Sequence, residues 1–296
     1  MSRIHDALKR AEQERATSTG HVEPALEQTE NQSMPMPQMQ GPGPGGIQAA
    51  SDMNYETLLA RCPRTNWSPD PQTMLFFQGD ENRMGAEEFR TLRSRLYQIR
   101  EKMPLKRLLV TSALPKEGKS FVAANLAQVL VRQQGRRALV IDADLRNPGM
   151  HRHLGTTQTP GLSDYLMGDI DEFGALQRGA MENLFFLPAG RVVASAPELL
   201  ANGRLKLLLQ RVESLFDWII VDSSPVIPVS DATLVANACD GILLVVRSSV
   251  TPSDMARRAR EEFPDKLLLG VVLNGAPAEK LSQSKYYYGE AVSSQA

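Results

Sequence analysis

Residues 106–121 read KRLLVTSALPKEGKSF. A short apolar run of strand type passes into a loop holding Pro115 and Gly118, and a helix-forming segment follows. From Ala113 the loop fits the phosphate-binding pattern, with Ala in place of the first Gly and then Gly118, Lys119 and Ser120. In that setting the expected nucleotide-binding stretch is Pro115, Lys116, Glu117, Gly118, Lys119, Ser120 and Phe121. Backbone N–H groups and a helix N-terminus would face the phosphate charge. Lys119 would neutralise the β- and γ-oxygens of ATP, and Ser120 would offer its hydroxyl to Mg²⁺. A chance Gly-Lys-Ser in a loop is the alternative, and the strand before it and the helix after it count against that.

Downstream the pattern alternates. Apolar strands are expected at RALVIDAD (137–144), NLFFLPAG (183–190), DWIIVDSS (217–224), GILLVVR (241–247) and KLLLGVVLN (266–274). Helices are expected over 120–134, closed by Gly135, and near 161–168, 197–216, 230–238 and 252–263. Strands alternating with helices imply a mostly parallel sheet covered on both faces. The fold class is therefore doubly wound α/β, a P-loop NTPase domain over residues 81–281. Phe185, Phe186 and the run 207–209 are core by pattern, and Trp67 and Trp218 are packing residues.

Two more strand ends carry carboxylates. Asp142 and Asp144 close one strand, where alternation puts both on one face at the carboxyl edge that binds ligands in such sheets. Asp222 closes another, as the expected carboxylate for Mg²⁺. An Asp at a strand end is often only a cap or turn residue. Three in register with a phosphate loop point to a metal–nucleotide site, with Ser120, Asp142 and Asp222 as its candidate metal residues.

Upstream, residues 85–102 read as a helix with a stripe of Phe89, Leu92, Leu96 and Ile99. Residues 16–80, rich in Pro, Gly, Gln and Met over their first half, read as a largely disordered linker. Within it YETLLA and TMLFF are apolar clusters suited to packing on the domain surface, which pattern alone does not place. Residues 1–15 are expected to form a short amphipathic helix with Ile4, Ala7, Leu8 and Ala11 on one stripe. Residues 282–296 are expected to be a flexible tail holding Tyr286, Tyr287 and Tyr288, half of the chain's 6 tyrosines. Three adjacent rings in a polar tail suit an edge strand, a docking patch or a set of phosphoacceptors.

The net charge of −1 supplies no field to draw the chain to nucleic acid. Two distant cysteines, Cys62 and Cys239, make neither a disulfide framework nor a zinc site, which suits a reducing cytoplasm. No leader and no apolar run of about 20 residues is visible. Membrane association is expected only through a partner.

The phosphate loop with PKEGKS, the DAD box followed by LRNP, the PELL helix start, the Asp222 strand and the tyrosine-rich tail together resemble the bacterial tyrosine kinases of capsule and exopolysaccharide synthesis. The likeness covers residues 85–288 and is closest to the form whose kinase domain is separate from its membrane partner. The opening MSRIHDALKRAEQER also resembles the subgroup found with exosortase-linked loci. The resemblance implies a non-specific protein-tyrosine kinase using ATP and Mg²⁺, with a fold like that of the septum-positioning MinD and partition ParA ATPases. It implies that Lys119, Asp142, Asp144 and Asp222 are catalytic, with Asp142 as base on the incoming tyrosine or as a Mg²⁺-linked acid. It implies that Asn274 reads adenine and that Tyr286, Tyr287 and Tyr288 accept phosphate from a neighbouring subunit. Glu87, Arg90 and Arg93, spaced as ExxRxxR, match the family's oligomer-interface motif and imply a homo-oligomeric ring; on spacing alone they are equally a ladder of i, i+3 ion pairs. The activating partner would be a membrane-anchored polysaccharide co-polymerase, which places the chain in the cytoplasm against the inner membrane.

Two departures stand out. The Asp222 strand continues SSPV where many relatives have Thr-Pro-Pro, and the tail holds one compact triplet of tyrosines. The rival readings are a switch ATPase of the septum-positioning type and a non-catalytic nucleotide-binding scaffold. Leu114 stands where the switch ATPases carry a second lysine. The intact Lys119, Ser120 and three aspartates oppose a decayed site. His151 and His153, after LRNP, are expected in an exposed loop.

Overall fold

The computed structural model describes residues 54–62, 64–77, 83–179 and 181–277. The expected apolar runs become β1 (Arg107–Ser112), β2 (Ala138–Asp142), β4 (Leu184–Leu187), β5 (Trp218–Asp222), β6 (Gly241–Arg247) and β7 (Leu268–Asn274). A two-residue strand, β3 (Gln177–Arg178), was not foreseen; it pairs antiparallel to β4. All other pairings are parallel, in one sheet of order β3-β4-β2-β5-β1-β6-β7. Residues of β2 and β5 are buried throughout, which is why these strands read as unbroken apolar runs.

Two hydrophobic clusters lie on the two faces of this sheet. One gathers Leu109, Ile141, Phe185, Phe216 and Ile219 under the helices α5 (Leu162–Met167), α6 (Glu172–Ala175), α7 (Ala196–Ala201), α8 (Arg204–Val212), α9 (Asp231–Ala236) and α10 (Ser253–Glu261). The other gathers Leu108, Val110, Phe186, Trp218 and Ile220 under α2 (Ala86–Arg100) and α3 (Lys119–Val131). Trp218 is fully buried, and its Nε1 donates to the Tyr97 hydroxyl at 3.2 Å. Of the expected core run at 207–209, Leu208 and Leu209 are buried but Leu207 is 47% exposed, because the amphipathic α8 turns that position to solvent.

The linker expected over 16–80 is corrected in its second half. Residues 55–61 form helix α1 (Tyr55–Arg61), whose N-cap Asn54 accepts from Thr57 N at 2.8 Å. Leu58 and Cys62 are fully buried in the first cluster. Residues 64–77 then cross the β3 end of the sheet, where Thr65 N donates to Arg178 O, and deliver Met74, Leu75 and Phe76 onto α3. Asn125 accepts from Leu75 N at 2.8 Å and donates to Thr73 O at 2.8 Å. Gln128 accepts from Phe76 N at 3.3 Å. Two buried amides on α3 thus stand in for the ladder a strand would supply. Prolines broke the local periodicity that pattern reading needs.

The expected N-terminal helix over 1–15, the linker to residue 53 and the tail from 282 to 296 with its three tyrosines lie outside the described residues. Among the described residues no helix is long and apolar enough to cross a membrane.

Candidate active site

β5 lies between β1 and β2, so three loops meet at one edge of the sheet. Val110 of β1 and Asp142 of β2 both register with Asp222 of β5. The phosphate loop leaves β1 there and enters α3 at Lys119. Lys116 (φ 66°) and Gly118 (φ 91°) are left-handed, which turns successive N–H groups toward one concavity at the helix N-terminus. Gly118 is required twice. Its φ is unfavourable for other residues, and a Cβ there would lie 2.0 Å from Asn274 Nδ2.

The seven residues expected to bind nucleotide are not equivalent. Pro115 has no N–H to donate. Phe121 turns its ring away, edge-on to Phe89 of α2 at 5.8 Å. The Glu117 carboxylate is buried behind the loop, accepting from Leu114 N at 2.7 Å and from the Thr251 hydroxyl. The side chains that reach the strand-end carboxylates are Lys119 and Ser120.

Lys119 Nζ lies 2.8 Å from Asp144 Oδ2 and 4.0 Å from Asp222 Oδ2. Burial alone would lower its pKa, but Asp222, Asp144 and Asp142 outweigh that and raise it, so the ammonium is permanent. Ser120 Oγ donates to Asp222 Oδ2 at 2.5 Å. Asp222 is pushed up to about 6, first by burial and against the pull of Lys119 and Ser120.

Asp142 and Asp144 converge on Lys119, but not by strand alternation. β2 ends at Asp142, and the chain turns so that Asp144 N donates to Asp142 Oδ1 at 3.1 Å. Gly149 N and Met150 N each donate to Asp142 Oδ2 at 3.2 Å. Burial, then the charge of Asp222, pushes Asp142 up to about 7. The three backbone donors favour its charged form and oppose that rise, which burial dominates.

The donor set fits Mg²⁺. Asp222 Oδ1 is buried and has no hydrogen-bond partner among the described residues, and the other oxygen of the same carboxylate holds the Ser120 hydroxyl. Among the described residues no cluster of three or more His, Cys, Asp or Glu forms a protein-only metal cage. Mg²⁺ in phosphate sites characteristically takes one or two protein ligands and completes its shell with phosphate and water.

Asn274 ends β7 against the phosphate loop, donating from Nδ2 to Glu117 O at 2.9 Å and accepting at Oδ1 from Gly275 N at 2.9 Å. Glu87 and Arg90 form the i, i+3 ion pair at 2.9 Å, and Arg93 reaches the Val129 carbonyl near the end of α3 at 3.1 Å. The exposed loop expected at His151 and His153 is instead helix α4 (Met150–Leu154), with both rings half-buried. His153 Nδ1 meets Thr73 Oγ1 at 3.1 Å, because residues 64–77 fold over this helix. Sequence reasoning missed Thr251 as a partner of Glu117. Its one signal was an acidic residue inside a loop meant for anions.

The family model for an AAA domain matches residues 117–251. Tyrosine-protein kinase YwqD of Bacillus subtilis is 34% identical over 206 residues, covering 69% of this chain and 86% of that protein. The kinase domain of Escherichia coli tyrosine kinase ETK superposes with a TM-score of 0.64 at 28% identity, over 74% of this chain and 84% of that one. A chimeric protein, CapA2B2, superposes with a TM-score of 0.66 at 26% identity, over 75% and 99%.

Proposed function

The chain belongs to the bacterial tyrosine-protein kinases of capsule and exopolysaccharide synthesis, and we propose that it transfers the γ-phosphate of ATP to Tyr286, Tyr287 and Tyr288 of a neighbouring copy. The observation that carries this is the meeting of Lys119, Ser120, Asp142, Asp144 and Asp222 at one sheet edge around a phosphate loop. Lys119 turns from Asp144 to the β- and γ-oxygens. Ser120 Oγ and Asp222 Oδ1 would hold Mg²⁺, which supplies charge neutralisation at the transferring phosphoryl group.

Asp142 takes the proton of the incoming phenol. We assign it to Oδ1, which accepts one backbone N–H against two at Oδ2. A proton affinity raised toward neutrality suits a base at working pH. Asn274, held against the phosphate loop, would read the adenine of ATP. From Asn274, an extended chain reaches Tyr287 over 13 positions, about 45 Å at roughly 3.3–3.6 Å per residue. That span is enough to enter a neighbour's site in a ring built through Glu87, Arg90 and Arg93. Activation comes from a membrane-anchored polysaccharide co-polymerase, through which the chain meets the inner membrane.

The test is phosphotyrosine mapping by mass spectrometry after Mg²⁺-ATP, with Lys119→Met as control, alone and with the partner's cytoplasmic segment. Phosphate on residues 286–288 that disappears in the control is the expected result. Phosphate released to water with unmodified tyrosines, despite proven partner binding, would replace the kinase with a switch ATPase.

A further inference from the structure

A carboxylate inside a phosphate loop is electrostatically adverse, since it repels the ligand the loop exists to hold. Glu117 is nevertheless there, and it is only 3% exposed. No cation forms an ion pair with it among the described residues. Its partners are hydrogen-bond donors from two separate segments. Leu114 N donates to Oε2 at 2.7 Å and closes the loop on itself. The Thr251 hydroxyl donates to Oε1, and Arg247 N lies 3.5 Å from the same oxygen. Thr251 Oγ1 in turn accepts from Arg247 N at 2.9 Å, so its hydroxyl has both its donor and an acceptor role fixed.

The same turn at the end of β6 grips the loop from outside. Arg247 Nη1 donates to Lys116 O at 3.4 Å, and Asn274, paired with Arg247 across β6 and β7, donates to Glu117 O. Lys116 is a non-glycine residue held left-handed between these contacts. A residue in that region persists where its surroundings over-determine it. The direction of the N–H groups from 116 to 120 depends on that kink.

We propose that Glu117 and Thr251 form a clamp that positions the phosphate loop against the β6–β7 wall, so that the hydroxyl of Thr251 sets nucleotide affinity without touching nucleotide. Both are positioning residues. This deepens the nucleotide-site reading above and rests on it. Loss of the Thr251 hydroxyl leaves a buried carboxylate short of one donor, and the loop relaxes to find another.

The test is calorimetric titration of the full chain with Mg²⁺-ADP, for wild type, Thr251→Val and Thr251→Ser. The Val variant is expected to bind about tenfold more weakly, the scale of one hydrogen bond to a charged group. The Ser variant is expected to restore wild-type affinity. In tyrosine phosphorylation the Val variant should raise the KM for ATP and leave kcat at saturating ATP nearly unchanged, the mark of lost uniform binding. If Thr251→Val does not fold, Glu117→Gln carries the test. Its amide NH₂ must face one of the two donors, so weaker ADP binding is expected, with a lowered melting temperature in a chain that still unfolds cooperatively. Equal ADP affinity in a folded Val or Gln variant overturns the clamp, as does failure of Ser to rescue. A wild-type chain that binds no ADP overturns the nucleotide-site reading itself.

Discussion

Ser120 Oγ donates to Asp222 Oδ2 at 2.5 Å, joining the first turn of α3 to the end of β5 across 102 positions of sequence. The bond leaves Asp222 Oδ1 buried and without a hydrogen-bond partner among the described residues. A buried polar atom in that condition costs stability unless a ligand satisfies it. Mg²⁺-ADP should therefore raise the melting temperature in a concentration-dependent way, the stabilisation reaching about 2.7 kcal/mol at a hundredfold excess over Kd. Asp222→Asn should retain ADP binding and lose most of its Mg²⁺ dependence. Differential scanning fluorimetry with and without EDTA reads both. An unchanged Mg²⁺ effect in the variant would remove Asp222 from the metal site.

Among the described residues Lys119 is the only ammonium paired with the buried carboxylates, and removing it leaves them uncompensated. Lys119→Met should destabilise the chain by about 3 kcal/mol near pH 8, the scale of breaking a buried ion pair. The loss should shrink toward pH 5. Lys119 has a raised folded pKa, so it stays charged throughout that range; what weakens its contribution is that Asp142 and Asp222 take up protons as pH falls. Denaturant melts at the two pH values check this, and a pH-independent loss would contradict it.

Asp142 supplies a slope of opposite sense to that of an ordinary salt-bridged acid. Its folded pKa, about 7, exceeds its unfolded value, so the folded state holds a proton the unfolded state has lost. Its contribution to stability accordingly falls as pH rises from about 4 to 7. Activity runs the other way, rising through about pH 7 as the base deprotonates. Asp142→Asn should flatten the stability slope and remove the activity. Its absolute stability should fall, because an amide cannot accept from Asp144 N, Gly149 N and Met150 N together. Stability curves of wild type and variant over this range decide it.

The phosphate loop and the strand-end aspartates were legible because they rest on local signals, an apolar run ending in a fixed pattern of residue types. Even so, the convergence of Asp142 and Asp144 was reached by the wrong geometry. Alternation assumed a strand where the chain turns through a hydrogen bond from Asp144 N to Asp142 Oδ1. Residues 54–77 were not legible. Their burial depends on Asn125 and Gln128 some 50 positions away, and a buried amide on an apolar helix reads as neutral until its partner is seen. The half-buried state of His153 follows from the same omission.

Asn125 makes that dependence measurable. Its side chain accepts from Leu75 N and donates to Thr73 O and Phe121 O, all in buried or part-buried surroundings. Asn125→Leu keeps the branched shape and removes the side-chain partners of Leu75 N and Thr73 O, while Phe121 O keeps its helical bond to the backbone of residue 125. It should cost about 2–4 kcal/mol, the scale of buried polar groups left without partners. Amide exchange at Leu75 should accelerate before global unfolding. A variant with wild-type stability and slow exchange at Leu75 would show that residues 73–76 are held by packing alone.

The ExxRxxR residues separate fold from assembly, because the three are engaged differently. Glu87 is exposed and pairs with Arg90 within α2, a contact of the kind that contributes about 0.3–0.5 kcal/mol. Arg93 donates to the Val129 carbonyl in the last turn of α3, where a cation also meets the negative end of the helix. Glu87→Ala should therefore leave the melting temperature of the separated chain almost unchanged. If α2 forms the ring contact, the same variant should lower the oligomeric mass seen by light scattering and slow phosphorylation between copies. Arg93→Ala should lower the melting temperature as well, by an amount matching about 1 kcal/mol. An oligomer lost only in Arg93→Ala would be a consequence of loosening α3, and would leave α2 without a role between subunits. An oligomer lost in a Glu87→Ala chain that melts like wild type would assign the contact to α2 itself.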